Sequence, residues 1–252
     1  MHGAWNKRMK ICVLIPVYNH QEAIAQVVET LKPFDLPCYL VNDGSSAQCS
    51  AVLRRLAEQE KTWITLHERD RNGGKGAAVM DGLQLAIAAG FSHAIQIDAD
   101  GQHRLADLGR FLIAGAQHPD KLILGKPGFD ATVPKKRFYG RRLTNLWIWI
   151  NTLSLDIADG MCGFRCYPLA PVETLLKLAD LGKRMDFDIE IVVRLYWQGV
   201  DVINIETEVQ YPLDGISHFR TFRDNLLISG KHAQLFFGML CRLPRLLLRH
   251  RR

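Results

Sequence analysis

Residues 10–31 have the sequence KICVLIPVYNHQEAIAQVVETL, in which a short apolar run is followed by a helical pattern. The run from Lys10 to Val17 is rich in β-branched residues, and Asn19 follows it at a turn. From Gln21 to Leu31 apolar residues recur at every third or fourth position, which predicts an amphipathic helix. A strand followed directly by a helix is the unit from which parallel sheets are built.

The same alternation continues through the first half of the chain. We predict further strands and helices at Cys38–Val41, Ser46–Glu60, Trp63–His67, Ala77–Ala89 and Ala94–Ile97. This alternation is typical of α/β folds, in which helices cover both faces of a mostly parallel sheet. Such sheets bind ligands at the carboxyl ends of their strands, so functional residues are expected directly after each strand.

The second half is less regular. We predict helices and strands at Leu105–Gln117, Lys121–Leu124, Arg137–Leu155, Gly163–Tyr167, Pro171–Leu178, Phe187–Trp197, Val200–Ile205 and Glu208–Tyr211. A final amphipathic helix covers Asn225–Leu248, and Pro244 is expected to bend or interrupt it because proline lacks a backbone N–H. This pattern predicts a main domain, residues 1–224, and a basic C-terminal helix, residues 225–252.

The positive charge is concentrated at the C-terminal end. Six of the 32 lysines and arginines follow the last acidic residue, Asp224, and the other 26 balance the 26 acidic residues. A neutral body argues against nucleic acid as a partner, and a basic amphipathic end favours an anionic membrane surface. We predict peripheral attachment at the inner face of the cytoplasmic membrane. The alternatives are docking of this helix on the protein's own body or on a partner protein.

Composition and cysteine spacing further restrict the class of protein to which the chain can belong. The 252 residues are 48% hydrophobic and 23% charged, which is ordinary for a soluble globular protein. No apolar run approaches the ~18–20 residues of a membrane span, and no signal-peptide cleavage site is recognisable. None of the six cysteines forms a C-x-x-C pair, so we expect reduced thiols, no zinc ribbon and a cytoplasmic location.

The strongest local signal is Asp98-Ala99-Asp100-Gly101-Gln102, which directly follows a predicted strand. Side chains alternate along an extended chain, so the two carboxylates project to one side. Neighbouring carboxylates destabilise each other unless a cation compensates them, and Mg²⁺ or Mn²⁺ is held in this way together with substrate phosphates. The alternative is a solvated acidic turn.

Two other polar segments also follow strands. Asn42-Asp43-Gly44-Ser45 alone is better explained as a simple turn in which a serine caps the next helix. The loop Arg71–Ala77, RNGGKGA, precedes a helix, where its backbone amides and Lys75 could hold an anion. It matches neither a P-loop nor the G-x-G-x-x-G pattern, so alone it is a weak signal.

Together these segments are specific. Pro16–Asn19, Asn42–Ser45, Asn72–Ala77 and Asp98–Gln102 resemble, in order and spacing, the family 2 glycosyltransferases with the GT-A fold. Within this family the chain resembles the branch of dolichyl- and polyprenyl-phosphate sugar synthases, because Asp159–Arg165, DGMCGFR, resembles their D-x-x-x-G-F-R segment. The resemblance implies a Rossmann-like α/β fold with a mixed, mostly parallel sheet flanked by helices.

The resemblance also implies roles for the matching residues. Four residues would contact the base or ribose of the donor nucleotide: Pro16, Tyr18, Asp43 and Asp98. A divalent metal, Mg²⁺ or Mn²⁺, would be bound mainly by Asp100, with Gln102 as a helper. His20 and Asn42 stand where the family has acidic residues, which leaves the identity of the nucleotide open.

The implied chemistry is sugar transfer from a nucleoside diphosphate, whose departing charge a divalent ion stabilises. A lipid phosphate acceptor is already anionic and needs cations, which Arg137 and Arg141 supply beside an apolar helix. The alternative is a solvated basic face on a buried helix. A hydroxyl acceptor would need a base, for which Asp159 is the first candidate and Glu190 the second. His103 follows the acidic motif and could be a metal ligand, but we expect it in a surface loop.

The predicted function is therefore metal-dependent, inverting transfer of a sugar from a nucleotide-diphosphate sugar to a lipid-linked or envelope acceptor at the cytoplasmic membrane face. A nucleotidyltransferase of nucleotide-sugar synthesis is the first rival, but that class carries a Gly-rich first loop with Lys or Arg where this chain has Val17–His20. A catalytically silent sugar- or lipid-binding module is the second, and the intact Asp43, Asp98 and Asp100 argue against it.

Overall fold

A computed structural model of the chain describes residues 9–128, 135–209 and 221–249, with side chains from residue 138 in the second range and from 222 in the third. The strands are β1 Ile11–Val17, β2 Cys38–Asn42, β3 Ile64–Glu68, β4 His93–Gln96, β5 Leu122–Gly128, β6 Arg165–Pro168 and β7 Val202–Glu208. The helices are α1 Ala23–Leu31, α2 Ala47–Gln59, α3 Lys75–Ala88, α4 Leu108–Gln117, α5 Lys135–Thr152, α6 Leu169–Leu178, α7 Phe187–Gln198, α8 Thr221–Leu240 and α9 Leu243–Arg249.

The strands form one sheet in the order β3-β2-β1-β4-β6-β5-β7. Strands β1 to β4 are parallel, β5 is parallel to β7, and β6 is antiparallel to both of its neighbours. The predicted mixed, mostly parallel sheet is therefore confirmed. Because β6 runs in the opposite direction, its first residue, Arg165, pairs with Gln96 at the end of β4. The segment before Arg165 thus reaches the edge where the parallel strands end.

Strand β1 is apolar throughout because both of its faces are covered. All seven of its residues are buried. Cys12 and Leu14 face the side covered by α3, α5, α6, α7 and α8, whereas Val13 and Ile15 face the side covered by α1, α2 and α4. This two-sided burial explains why the segment carries a continuous apolar run and not an alternating pattern.

The six cysteines are all free thiols. Five are buried, and Cys241, which follows α8, is exposed. Burial raises the pKa of Cys12 and of Cys166 to about 12, so these thiols stay neutral at physiological pH.

The end of the chain forms two helices where one was predicted. Helix α8 ends at Leu240 and α9 begins at Leu243, which confirms the expected interruption near Pro244. Pro244 occupies the second position of α9, where a backbone N–H has no partner within the helix. The predicted domain boundary after Asp224 falls inside α8, and the division into two domains stays a prediction.

Helices α8 and α9 pack on the body of the protein. Ile228, Leu235 and Met239 of α8 are buried among residues of the sheet-covering helices. The guanidinium of Arg242 lies 4.7 Å from the ring centroid of Trp197. Arg249 donates hydrogen bonds to the Val200 carbonyl and to Asp201. Two of the arginines predicted to meet a membrane are therefore engaged with the body.

Two other expectations are modified. The predicted strand Glu208–Tyr211 is not separate, because Glu208 ends β7 and Val209 forms an isolated antiparallel bridge with His103. Tyr211 lies outside the described residues. Within residues 9–128, 135–209 and 221–249, no helix has the length and apolar character needed to cross a bilayer.

Candidate active site

Asp43, which directly follows β2, binds the glycine-rich loop through hydrogen bonds. Its Oδ1 accepts hydrogen bonds from Arg69 Nη1 at 2.5 Å and from the Gly73 amide at 2.9 Å. Its Oδ2 accepts from Asn72 Nδ2 at 2.9 Å and from the Gly74 amide at 2.8 Å. The two glycine amides belong to the loop that could hold an anion, and in the structure they bind this carboxylate. Any contact of Asp43 with a nucleotide base would add to these four bonds.

Two neighbours of Asp43 explain the local sequence. Gly44 has a φ of +63°, and a Cβ there would lie 2.4 Å from the Asn72 amide nitrogen, so only glycine fits. Asn42 Nδ2 donates to Ser50 Oγ at 2.9 Å and to Glu68 Oε1 at 3.2 Å. An aspartate at position 42 would place a second carboxylate against Glu68, which accounts for the amide at this position.

The end of β1 lies against the same turn. Pro16 is a buried residue of β1, and the half-buried Tyr18 follows the strand. Asn19 Oδ1 accepts a hydrogen bond from the Ser46 amide at 2.8 Å, and the Asn19 amide donates to Ser45 Oγ. The Asp43 amide donates to the Val17 carbonyl. The structure thus places the predicted donor-binding residues Pro16, Tyr18 and Asp43 at one edge of the sheet.

The acidic motif lies after β4 at this same edge. Lys75 Nζ is 2.8 Å from Asp98 Oδ1, and His103 Nε2 is 3.6 Å from Asp98 Oδ2. Burial alone would raise the pKa of Asp98, but the Lys75 ammonium and His103 hold it well below its ordinary value. Asp100 Oδ1 accepts a hydrogen bond from the backbone amide of Gln102 at 3.1 Å, so the observed contact of Gln102 is through its main chain.

A chain of buried charges extends inward from Asp98. Lys75 Nζ also lies 3.0 Å from Asp188 Oδ2 on α7. Arg165 Nη1 lies 3.5 Å from the other oxygen of Asp188 and donates to the Asp188 carbonyl. The acidic partner of Arg165 is therefore Asp188. Sequence reasoning missed the roles of Lys75 and Asp188, although the glycine-rich loop and the acidic start of α7 were the available signals.

Gly163 brings the start of β6 against Asp98. A Cβ at this position would lie 2.0 Å from Asp98 Oδ2. No larger residue fits without moving the carboxylate. Arg165 supports the approach, because its Nε donates to the Cys162 carbonyl and its Nη2 to the Gly160 carbonyl.

The donors at this edge are suited to a hard divalent cation. Asp98 and Asp100 offer carboxylate oxygens, and the buried His103 Nδ1 has no hydrogen-bond partner. His103 is therefore beside the acidic motif and not in a surface loop as expected. Across the described ranges, no three or more His, Cys, Asp or Glu side chains form a preassembled metal cluster. The residues fit a Mg²⁺ or Mn²⁺ ion, whose remaining ligands would have to come from substrate phosphates and water.

Asp159, the first candidate base, forms a buried ion pair with Arg141. Arg141 Nη2 donates to Asp159 Oδ1 at 2.8 Å, and its Nε contacts Oδ2. The Met161 and Cys162 amides also donate to Oδ1 at 2.9 and 2.7 Å. Burial alone would raise the pKa of Asp159, but Arg141 and these amides lower it. These contacts make Asp159 a poor proton acceptor and hold Arg141 beside the turn that precedes β6.

Glu190, the second candidate base, is fully buried in α7. Its Oε1 accepts a hydrogen bond from Arg194 Nε at 2.8 Å. Its Oε2 accepts from the Gly182 amide and lies 2.7 Å from Lys231 Nζ of α8. With both oxygens engaged, Glu190 contributes to the packing of α8. Arg137 lies in the first turn of α5, and its side chain is outside the described residues.

Comparison with known proteins identifies proteins that are similar to this chain. The family model described as "Glycosyl transferase family 2" matches residues 12–170, which is more than half of the chain. That interval contains Asp43, the acidic motif Asp98–Gln102 and the start of β6 described above.

Two relatives have names that specify a lipid phosphate. Polyprenol monophosphomannose synthase of Mycolicibacterium smegmatis is 26% identical over 198 residues, covering 77% of this chain and 74% of that protein. Undecaprenyl-phosphate 4-deoxy-4-formamido-L-arabinose transferase of Sodalis glossinidius is 33% identical over 178 residues, covering 66% of this chain. The match spans 51% of the Sodalis protein, about half of its length.

A solved structure supports the fold. Glucosyl-3-phosphoglycerate synthase from Mycobacterium tuberculosis, crystallised with Mn²⁺ and uridine-diphosphate-glucose, superposes with a TM-score of 0.66. The superposition covers 95% of this chain and 84% of that chain at 13% sequence identity. At this identity the similarity establishes a shared GT-A architecture.

Proposed function

Because the chain belongs to glycosyl transferase family 2, a family of sugar-transferring enzymes, we propose that it transfers a sugar from a nucleotide-diphosphate sugar to a lipid phosphate. The proposed reaction is metal-dependent and inverting, and it takes place at the cytoplasmic face of the membrane. The observation that carries the proposal is the convergence of Asp43, Asp98 and Asp100 at the carboxyl ends of β2 and β4. Open α/β sheets bind nucleotides at such an edge.

The donor would lie across this edge. Pro16 and Tyr18 would line the base, and Asp43 would support it by holding the loop of residues 69–74 in place. Asp98 and Asp100 are the residues that would hold a divalent ion, which supplies Lewis-acid stabilisation of the departing diphosphate. The Mn²⁺ and uridine-diphosphate-glucose bound by the tuberculosis enzyme support this arrangement.

The lipid phosphate is proposed from the names of the relatives and from the chemistry of the site. An oxygen of the ionised acceptor phosphate would attack the anomeric carbon as the bond to the nucleoside diphosphate breaks, and the bonding electrons would leave with the diphosphate. Attack from the opposite side inverts the anomeric centre. No proton has to be removed from an ionised phosphate, which agrees with the ion-paired state of Asp159 and Glu190.

Arg141 would attract the acceptor phosphate, and Asp159 would position Arg141. The guanidinium is mostly buried between α5 and the turn before β6, and Gly163 of that segment abuts Asp98. An anion held near Arg141 would therefore approach the metal end of the donor site. Charge-assisted pairing of arginine with phosphate is geometrically specific.

The test is a transfer assay with undecaprenyl phosphate in detergent, a panel of nucleotide sugars and Mn²⁺ or Mg²⁺. We expect a lipid-linked sugar and an equal amount of nucleoside diphosphate from at least one donor. Asp100→Asn removes one carboxylate of the proposed metal pair and is expected to lower transfer by about 10²-fold or more.

The matched control is Asp120→Asn, which makes the same chemical change at an exposed position. It is expected to leave transfer unchanged. Transfer by Asp100→Asn at the wild-type rate, or wild-type transfer that is unaffected by a metal chelator, would contradict the metal assignment. Transfer of sugar to a hydroxyl acceptor, with none to the lipid phosphate, would contradict the acceptor assignment.

A further inference from the structure

Helices α5 and α8 expose large apolar side chains to solvent. On α5, Tyr139 is 65% exposed and Leu143 is 58% exposed. On α8, Phe222 is 86%, Leu226 is 65% and Phe237 is 67% exposed. We call this surface the α5–α8 face and define it by these residues: Tyr139, Leu143, Leu146, Trp147, Phe222, Leu226, Phe237 and Leu240. Their spacing places them on one side of each helix.

The exposed sides of the two helices are continuous. The rings of Trp147 on α5 and Phe236 on α8 meet edge to face, with centroids 6.3 Å apart. Phe236 in turn contacts Phe237, with centroids 6.0 Å apart. The aromatic residues thus connect the apolar stripe of α5 to that of α8. A contiguous apolar patch of this kind marks an interaction surface on a protein.

Helix α8, which carries half of the α5–α8 face, is fixed to the body of the protein. The opposite side of α8 buries Ile228, Leu235 and Met239. Lys231 on that side lies 2.7 Å from the buried Glu190. Helix α8 is therefore apolar on two sides. One side is used by the core of the protein, and the other is available to a partner.

The charge of helices α5, α8 and α9 indicates which kind of partner the α5–α8 face binds. Helices α5 and α9 contain no acidic residue, and Asp224, the acidic residue of α8, is buried. Among the side chains of these helices that the structure describes, three arginines are exposed: Arg142, Arg223 and Arg245. A symmetric pairing of two copies through this face would bring the same positive charges together. An anionic lipid surface offers both an apolar interior and opposite charge.

We propose that the α5–α8 face binds an anionic bilayer, with α5 and α8 lying in the plane of the interface and the exposed arginines at the level of the headgroups. The proposal rests on the proposed function and deepens it, because a protein held against the bilayer by α5 and α8 lies beside a lipid phosphate acceptor. Arg141 is on the side of α5 that faces Asp159, roughly half a turn around the helix from Tyr139 and Leu143. It differs from attachment by a free basic tail, since Arg242 and Arg249 are bound to the body.

The test is co-flotation of the full chain with two kinds of vesicle: phosphatidylglycerol mixed with phosphatidylcholine, and phosphatidylcholine alone. We expect binding to the anionic vesicles and much weaker binding to the neutral ones. The double variant Leu226→Asn/Phe237→Asn is expected to weaken partitioning roughly tenfold or more, because two inserted apolar side chains are lost. Arg223→Gln/Arg245→Gln is expected to weaken binding to anionic vesicles by roughly fivefold per residue and to leave neutral vesicles unaffected.

The matched control is Ile113→Asn, at an exposed apolar position of α4 on the opposite side of the sheet. Its vesicle binding is expected to equal that of the wild type. Absence of wild-type binding to anionic vesicles, or unchanged binding by Leu226→Asn/Phe237→Asn, would overturn the proposal. A wild-type dimer that this double variant converts to a monomer in sedimentation would overturn it in favour of a second copy. Flotation needs neither donor nor acceptor, so its failure is distinct from failure of the transfer assay.

Discussion

At the scale of single residues, Asn42 shows how a buried amide is matched to its neighbours. It donates to Ser50 Oγ and Glu68 Oε1, and its own oxygen accepts from the Ser45 amide. We expect Asn42→Asp to lower the free energy of unfolding by about 1–2 kcal/mol at pH 8, because a second carboxylate then faces Glu68. Proximity of like charges raises the pKa of one carboxyl group, so the loss is expected to shrink as the pH falls towards 5.

Urea unfolding of the wild type and of Asn42→Asp at pH 8 and pH 5 measures this effect. The control is Asn225→Asp, the same change at an exposed position of α8, which is expected to stay within about 0.5 kcal/mol of the wild type. Equal unfolding midpoints for Asn42→Asp and the wild type at pH 8 would contradict the explanation given for this amide.

The Arg141–Asp159 pair leads to a prediction with a defined pH dependence. Arg141→Met leaves a buried carboxylate without its cation and is expected to cost about 3 kcal/mol of unfolding free energy at pH 7. In the wild type the folded pKa of Asp159 is lowered, so this stabilisation is present above the ordinary pKa and is lost as the pH falls through the folded value. In Arg141→Met, burial is no longer opposed by the guanidinium and raises the pKa of Asp159, so the carboxyl of the variant takes up a proton as the pH falls and the difference from the wild type is expected to diminish towards pH 4.

The control for this prediction is Arg142→Met, since Arg142 is the exposed neighbour and its guanidinium lies over the Phe138 ring. Chemical unfolding across pH 4 to pH 7 separates the two variants. A pH-independent difference for Arg141→Met would indicate lost packing as the cause and would argue against the ion pair.

At the scale of elements, α8 is part of the folded body. A chain ending at Gly230 loses the buried Leu235 and Met239 of α8 and Leu246 of α9. Each such loss costs about 2–3 kcal/mol, so the shortened chain is expected to unfold at much lower urea concentration than the full chain. It also exposes Trp197, whose Nε1 donates to the Asn151 carbonyl beneath α8.

Urea unfolding monitored by tryptophan fluorescence tests this prediction. The control is a chain ending at Arg249, which keeps all three buried side chains and the contacts of Arg249 with the body. An unchanged unfolding midpoint for the chain ending at Gly230 would show that α8 does not belong to the core. Point substitutions on the exposed side of α8 are consequently the better way to examine membrane attachment.

At the scale of the whole molecule, the edge of the sheet is expected to couple nucleotide binding to stability. A nucleoside diphosphate at a hundredfold excess over its Kd stabilises a protein by ~2.7 kcal/mol. For a domain of this size that corresponds to a Tm increase of about 5–10 °C. A thermal-shift screen of nucleoside diphosphates with and without Mn²⁺ is expected to find one base that gives such a shift only with the metal.

In the same screen, Asp100→Asn is expected to lose the Mn²⁺-dependent part of the shift. Asp120→Asn is expected to retain it. A shift of equal size with and without Mn²⁺ in the wild type would contradict metal binding at Asp98 and Asp100.

The elements of the fold that could be predicted from the sequence are those with an apolar periodicity of their own. Strands β1 to β4 and their helices were predicted because each strand and helix is a short, continuous segment with its own periodicity. The insertion of β6 between β4 and β5 was not, because the pairing of Gln96 with Arg165 joins residues far apart in the chain. Only tertiary packing decides which strand fills that position and in which direction.

The candidate site also combines residues that the sequence pattern could reveal with contacts that it could not. Asp98 and Asp100 could be recognised from alternation after a strand, and the structure places them at the sheet edge with Asp43. The contacts of Lys75 with Asp98 and Asp188 join the loop before α3 to α7. The ion pair of Asp159 joins α5 to the turn before β6, and that of Glu190 joins α7 to α8; no sequence period encodes the relative placement of these elements. Both carboxylates are engaged by cations, and the role of either residue as a base stays a prediction.

The burial of five thiols has a practical consequence. Cys38, Cys49, Cys162 and two others are enclosed in the core, whereas Cys241 is exposed at the junction of α8 and α9. Thiolates and not neutral thiols react with maleimides, so Cys162 is protected both by its burial and by a pKa that burial raises to about 12. The native chain therefore carries one natural attachment point for a fluorophore or spin label, next to Leu240. A spectroscopic reporter can be placed there without any engineered cysteine.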